Sequence, residues 1–264
     1  AFEPNNGQKD NAGYWATYNG PLVDAPDAGS GAANQNFFGR ANAFFIVLPY
    51  WGDFYDDNDV RRDVNFVDYV YRWVKKDKAQ VKMSVCQEIS KNMYRYPGKW
   101  RREWMAPGFV DPNHTGVNYC PLRYADVVLM RAEALIQLNR LSEALPLVNE
   151  IRNRAARSTT LVFDYGASFK VEPYTMVEWT DRDIAMRDLK WERRLELALE
   201  GSRFFDLVRW GDAAKVMNQY YASEASRRSY YSDANFTAGK NEYLPIPQKQ
   251  INYSGGLYQQ NNGW

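Results

Sequence analysis

The chain has 264 residues, and its 33 Lys and Arg nearly balance its 32 Asp and Glu. That length suffices for one large domain or two small ones with a real core, and the near-neutral charge excludes the basic excess with which a nucleic-acid binder displaces counterions from phosphates. Aromatic residues make up 16% of the chain, with 19 Tyr and 9 Trp, and rings with a polar handle suit half-wet surfaces as well as cores.

In chain order, residues 1 to about 60 are rich in Gly, Asn, Asp, Pro and Ala and read as loop, with Gly29-Ser30-Gly31-Ala32-Ala33-Asn34 as a flexible turn region. So long an irregular stretch is rare in a compact domain unless the loops bind something. Ala1-Phe2-Glu3-Pro4 has neither a basic start nor an apolar centre, so no export leader is expected in it. The longest apolar run, Ala43 to Leu48, is strand-sized, stops at Pro49, and falls far short of the ~18 residues of a membrane span. From Asp59 to Lys76, Phe66, Tyr69, Tyr71 and Trp73 alternate with charged residues, which predicts a half-buried strand.

The character changes at Pro121. From Tyr124, Val128, Ala132, Leu135 and Leu138 recur at helical spacing, and the alanines permit close helix approach. Asn139-Arg140 is a break, Ser142 offers an N-cap with Glu143 in the first turn, and Leu141, Leu145, Val148 and Ile151 continue one face past Pro146. The result is an antiparallel helix pair from Tyr124 to Arg157, of the length of a tetratricopeptide unit. Thr180 and Asp183 form a capping-box-like start for a helix expected to stop at Gly201. Phe204 to Trp210 opens another helix or turn, and Tyr243-Leu244-Pro245-Ile246-Pro247 is extended because of its alternate prolines. The final Gln259-Gln260-Asn261-Asn262-Gly263-Trp264 is a loop pinned by an aromatic.

Four ordered segments carry a family resemblance. Arg123-Tyr124-Ala125-Asp126-Val127 with Arg131-Ala132-Glu133-Ala134-Leu135 resembles a hallmark of the SusD/RagB family. So does Glu192-Arg193-Arg194-Leu195-Glu196-Leu197 leading into Glu200-Gly201-Ser202-Arg203-Phe204-Phe205-Asp206-Leu207-Val208-Arg209-Trp210-Gly211. Leu244-Pro245-Ile246-Pro247 and Gln260-Asn261-Asn262-Gly263-Trp264 are similar to the family's closing signature, and Asp59-Val60-Arg61-Arg62-Asp63 resembles its Asp-x-Arg segment with Val where Pro is usual. The resemblance implies a cell-surface lipoprotein of the outer membrane that sits as a lid on a SusC-like TonB-dependent transporter. Such a protein captures oligosaccharides, or in some members peptides, without changing them chemically. Family members are about twice this length and carry an amino-terminal lipid anchor, so the chain is expected to be the carboxy-terminal portion of a longer protein, with no membrane attachment of its own.

Several constellations admit more than one chemistry. Glu192, Glu196 and Glu200 recur every four residues and so share a helix face, with Arg193, Arg194, Arg203 and Arg209 nearby. A glycosidase needs two acids across a bond, whereas acids on one wall beside so many arginines read as an ion-pair network built from Glu192, Arg193, Glu196, Glu200, Arg203 and Arg209. No catalytic residue is therefore expected. His114 is the only histidine and, with Cys86 and Cys120 scattered, makes no zinc site. The two cysteines are read either as one disulfide or as two buried thiols. Asp53, Asp56, Asp57, Asn58 and Asp59 lack the EF-hand spacing and read as a solvated turn, so neither metal nor cofactor is expected. Tyr14, Trp15, Tyr50, Trp51 and Tyr55 lie in turn-rich sequence among Asp and Asn, supplying flat rings for sugar C–H faces and polar groups for hydroxyls. Trp100 and Trp104, beside Arg101, Arg102 and Glu103, are a second aromatic candidate.

The expected fold is mostly α, with tetratricopeptide-like helix pairs, long irregular loops and a few short strands. Residues 1–120 form a loop-rich ligand-binding region and residues 121–264 a helical region with an extended closing tail. The expected ligand is an oligosaccharide or polysaccharide. The rival readings are a helical-repeat scaffold that binds only protein, and peptide capture in place of glycan.

Overall fold

The computed structural model describes residues 18–24, 47, 54–56, 59–67, 69–84, 96–104, 119–157 and 171–264. They fall into two compact units, Ala1–Leu199 and Glu200–Trp264. The fold is mostly helical with a few short strands. Of the aromatic candidates in the loops, Tyr14, Trp15, Tyr50 and Trp51 lie outside the described residues, as do His114 and Cys86, while Cys120 is a free, exposed thiol.

In the first unit, the stretch expected as a single strand from Asp59 begins instead as a helix, α1 (Arg61–Asn65), followed by β1 (Phe66–Val67) and β2 (Tyr69–Val74). Phe66, Tyr69 and Tyr71 pack inward, but Val67 and Val70 beside them are buried too, so the burial does not alternate; Asp59 accepts from the Arg61 amide at 3.0 Å and the chain turns helical before the strand starts. β2 pairs antiparallel with β3 (Ala79–Ser84) through a Lys75–Lys78 turn in which Lys78 takes a left-handed φ of 47°. β1 pairs with β4 (Tyr96–Pro97), and Val23 bridges to Tyr71 from the other side.

The main core of this unit is helical. In α2 (Tyr124–Gln137), Ala125, Val128, Leu129, Ala132, Leu135 and Ile136 are buried, and in α3 (Leu141–Ala156) Ala144, Leu145, Val148, Ile151 and Ala155 face them. Small Ala132 and Ala144 let the two backbones approach. The turn between them is a Schellman closure: Asn139, at φ 56°, donates to the Ile136 carbonyl at 2.9 Å and Arg140 to that of Leu135 at 2.8 Å. Helix α3 therefore starts at Leu141, and Ser142, expected as its cap, is already inside it. Pro146 consequently sits a full turn into the helix, which continues past it to Ala156.

Helix α4 (Arg182–Glu196) packs on both. Its cap is Asp181, one residue later than expected, whose carboxylate accepts from the amides of Asp183 and Ile184 at 2.9 Å each. It ends before the expected Gly201. The chain leaves the helix through Leu197–Leu199, with Leu199 at φ 66°, so Glu200 does not continue the face of Glu192 and Glu196.

The second unit holds α5 (Arg203–Arg209), α6 (Ala213–Glu224) and α7 (Gln248–Tyr253), and Leu207 of α5, Ala213 of α6 and Phe236 form its core. Gly211, at φ 73°, closes α5 by a second Schellman pattern, with the Asp212 amide reaching Leu207 at 2.9 Å. The extended Tyr243–Pro247 segment is held by the closing residues: Gln260 brackets the Ile246 backbone at 2.8 and 2.9 Å, Asn261 reaches the Leu244 carbonyl at 2.7 Å, and Trp264 Nε1 donates to Tyr243 at 3.1 Å. Among the described residues no helix is long and apolar enough to cross a membrane.

Candidate functional site

The apolar face of α4 changes chemistry along its length. Ala185, Met186 and Leu189 join the core, and one turn on the same face continues as Glu192, Arg193 and Glu196, all buried. Burying carboxylates requires partners, and they come from three distant segments. Arg61 donates to Glu192 at 2.5 Å and to Glu196 at 3.3 Å while gripping both oxygens of Asp59. Arg152 of α3 reaches the second oxygen of Glu192 at 2.9 Å. Arg123 and Arg154 reach Glu196 at 2.6 and 2.5 Å, and Arg193 pairs with Asp126 at 2.9 Å. Lys99 and Arg123 also donate to the Glu196 carbonyl, at 2.9 and 2.7 Å.

The charges of Glu196 and Arg61 follow from this setting. Burial pushes the Glu196 carboxyl up, but the guanidinium groups of Arg154, Arg123 and Arg61 outweigh it and hold it down at about 2. Burial likewise works against the charged form of Arg61, and Glu192 and Asp59 more than offset it. Glu192 is 0% and Glu196 3% exposed. No substrate bond reaches either oxygen pair, which removes the two residues as a glycosidase dyad.

The remaining members of the expected network fall elsewhere. Arg209 pairs with Asp206 at 2.8 Å within the second unit, and Arg203, lowered by burial, lies near Asp206 and Asp212. Glu200 belongs to that unit as well. Asp59, read as part of a solvated acidic turn, is instead buried under Arg61. Among the described residues no group of His, Cys, Asp and Glu is placed to hold a metal ion.

Tyr55, expected as a ligand-stacking ring, is 5% exposed: its hydroxyl donates to the Leu195 carbonyl at 2.8 Å and accepts from Asn65 at 2.7 Å, and its ring packs edge-on to Phe66. It is a strut between the loop segment and α4, and burial raises its hydroxyl pKa well above the ordinary range. Trp100 is buried too, whereas Trp104 is exposed beneath the Arg101 guanidinium, 4.7 Å from its ring centre. Two further aromatic surfaces carry no motif. Trp191 and Phe54 meet edge-on with Arg194 over both rings, and in the second unit Tyr220, Tyr221, Tyr230 and Tyr231 cluster with centroids 4.5–6.1 Å apart. Tyr230 is largely exposed, and Arg228 donates to its hydroxyl at 3.1 Å. The Tyr-Tyr doublets at 220–221 and 230–231 were the available signal for this cluster.

A last feature is a cleft of about 350 Å³ where the start of α2 meets the end of α3, lined by Arg123, Tyr124, Ala125, Glu150, Ile151, Arg154 and Arg157.

Two of the four family-like segments, Arg123–Asp126 and Glu192–Leu197, thus meet with the upstream Asp59–Asp63 segment in one buried charge lattice. The family model described as the SusD family matches residues 51–264. The chain belongs to the SusD family. It is similar to SusD-like protein P38 of Formosa agariphila, 42% identical over 108 residues that cover 41% of this chain and 20% of that protein. SusD-like protein P2 of the same organism is 29% identical over 151 residues, 57% of this chain and 26% of that protein. Among solved structures, a SusD homologue from Bacteroides thetaiotaomicron superposes with a TM-score of 0.68 at 24% identity, covering 100% of this chain and 50% of that one. A laminarin-binding SusD-like protein gives 0.52 at 25% identity, over 94% of this chain and 44% of its own. Surface glycan-binding protein A from B. thetaiotaomicron gives 0.56 at 21%, over 94% and 46%, which speaks for the fold alone. The chain spans about half the length of these solved relatives and, where aligned, about a quarter or less of the curated ones.

Proposed function

We propose that this SusD-family chain captures a glycan at a cell surface and serves delivery to a SusC-like, TonB-dependent outer-membrane transporter, without altering the glycan. The observation that carries the reading is the likeness to the laminarin-binding SusD-like protein over nearly the whole chain. The chemistry fits: an exposed ring offers a flat apolar face to a pyranose, and neighbouring polar groups take up its hydroxyls. Tyr230 beside Arg228 has that form, and Tyr14, Trp15, Tyr50 and Trp51 remain proposed contacts from their sequence setting. Capture without catalysis also agrees with the fate of Glu192 and Glu196, whose oxygens are spent on guanidinium groups. Attachment to the outer membrane belongs to the same proposal, through an amino-terminal lipid on the longer protein.

Affinity electrophoresis through gels containing laminarin or other soluble polysaccharides tests this. Retardation by at least one glycan, weakened in Trp15→Ala, Trp51→Ala or Tyr230→Ala, is the expected result. Unretarded migration in every gel, with no reducing sugar released, would remove glycan capture.

A further inference from the structure

Four guanidinium groups of the first unit, those of Arg61, Arg123, Arg152 and Arg154, bond the buried carboxylates of α4, and those of Arg123 and Arg154 also line the cleft between α2 and α3. Asp59, Glu192 and Glu196 are three carboxylates, and Arg61, Arg123, Arg152 and Arg154 are four guanidinium groups bonded to them. Of these, Arg61 is buried and Arg152 half-buried, whereas the Arg154 side chain is 51% exposed and lines the cleft. Arg157, one turn on at the end of α3, is exposed and makes no ion pair among the described residues.

The cleft has more than charge. Arg123 and Arg154 are anchored from behind by the same Glu196 oxygen at 2.6 and 2.5 Å, so their forks are already oriented and lose little freedom on meeting a ligand. Arg154 uses one of its nitrogens on Glu196, and its Nε and other terminal nitrogen remain as donors. Tyr124, at the opposite wall, exposes most of its ring. Glu150 adds a carboxylate that accepts from hydroxyls and opposes a second ligand anion. The volume of about 350 Å³ admits one or two sugar rings.

We infer that this cleft is a subsite for an acidic saccharide, with Arg154 and Arg157 on the carboxylate or sulfate ester of one residue, Tyr124 against its ring face and Glu150 on its hydroxyls. The inference rests on the glycan-capture reading and adds to it a preference for anionic glycans. Charge-assisted fork contacts to an oxyanion are worth about a factor of ten or more in affinity at low salt, whereas a neutral saccharide leaves Arg157 without a partner.

Calorimetric titration of the chain with oligogalacturonate, a sulfated galactan oligosaccharide and neutral laminarin oligosaccharides tests it. At least one acidic ligand is expected to bind about tenfold tighter than the neutral one, with the advantage fading as salt rises. Arg157→Gln and Tyr124→Ala are expected to weaken the acidic ligand about fivefold or more and leave neutral binding in place. The uronate and sulfate arms tell the two oxyanions apart. Equal affinity for acidic and neutral ligands, or an acidic advantage untouched in Arg157→Gln, overturns the subsite and leaves glycan capture standing. Absence of all saccharide binding overturns both. Arg157 is outside the core, so its variant should retain the parent's circular dichroism and melting. Arg157→Glu, which should abolish the acidic preference, is the second variant.

Discussion

Replacing Arg61 with methionine removes the group that joins the loop segment to α4. The methionine fills much the same space, so the loss is electrostatic. Glu192 keeps Arg152, and Glu196 keeps Arg123 and Arg154, but Asp59 retains among the described residues only the amide of residue 61. One carboxylate is thus stranded at 3% side-chain exposure, and two others lose a partner at 0% and 2%. Breaking a buried pair from one side costs about 3–5 kcal/mol, a large part of the ~5–15 kcal/mol that stabilises a typical domain. Urea unfolding followed by circular dichroism should show the lower midpoint. Arg61→Met combined with Asp59→Asn should recover part of the loss, because the double change removes the stranded buried charge of Asp59. A single-variant cost below about 1 kcal/mol, or a double variant whose cost is the plain sum, would refute the claim that this lattice holds the loop segment to the helices.

Three further outcomes follow from the same structure. Glu196 is held at about 2 in the folded chain and titrates near 4.5 once unfolded, so between those values the unfolded state binds the extra proton. Stability from this group is complete above about pH 4.5 and lost as pH falls through about 2, on the order of 3 kcal/mol, and acid-unfolding curves of Glu196→Gln should lack that step. Gly98→Ala drives a methyl into the Val64 carbonyl oxygen and the Arg101 side chain and should cost about 1–3 kcal/mol in urea. Ala144→Leu forces a larger side chain between α2 and α3, where Ala144 is wholly buried, and a melting scan should show a drop equivalent to about 1–3 kcal/mol.

Much of the helical half was legible because its signals are local. The period of Val128, Ala132 and Leu135 and the break at Asn139 can be read from a few neighbours, and the structure keeps them. The errors were also local in kind. Ser142 competes as a cap with a Schellman turn that already fixes the cap of α3 at Arg140, two residues earlier. Gly201 is a good terminator, but Leu197–Leu199 leave the helix first, while Tyr55 and Asn65 both bond the Leu195 carbonyl of its last turn. Tyr55 itself looked like a binding ring because its turn-rich setting hides a partner 140 residues away.

Alone, the residue order determined the family, the helix pair and the surplus of arginines around the Glu192–Glu196 segment. Periodicity and capping act within a turn or two of the chain, so they survive without knowledge of what packs where. Tertiary structure decided which carboxylate each guanidinium meets. Arg61 and Glu192 are 131 residues apart, and only the docking of the loop segment on α4 brings them to 2.5 Å. The same docking turned Tyr55 inward, while the packing of α2 on α3 left Arg154, Arg157 and Tyr124 facing a cleft, because burying charge takes whichever partners the packed surfaces present and leaves the remainder exposed.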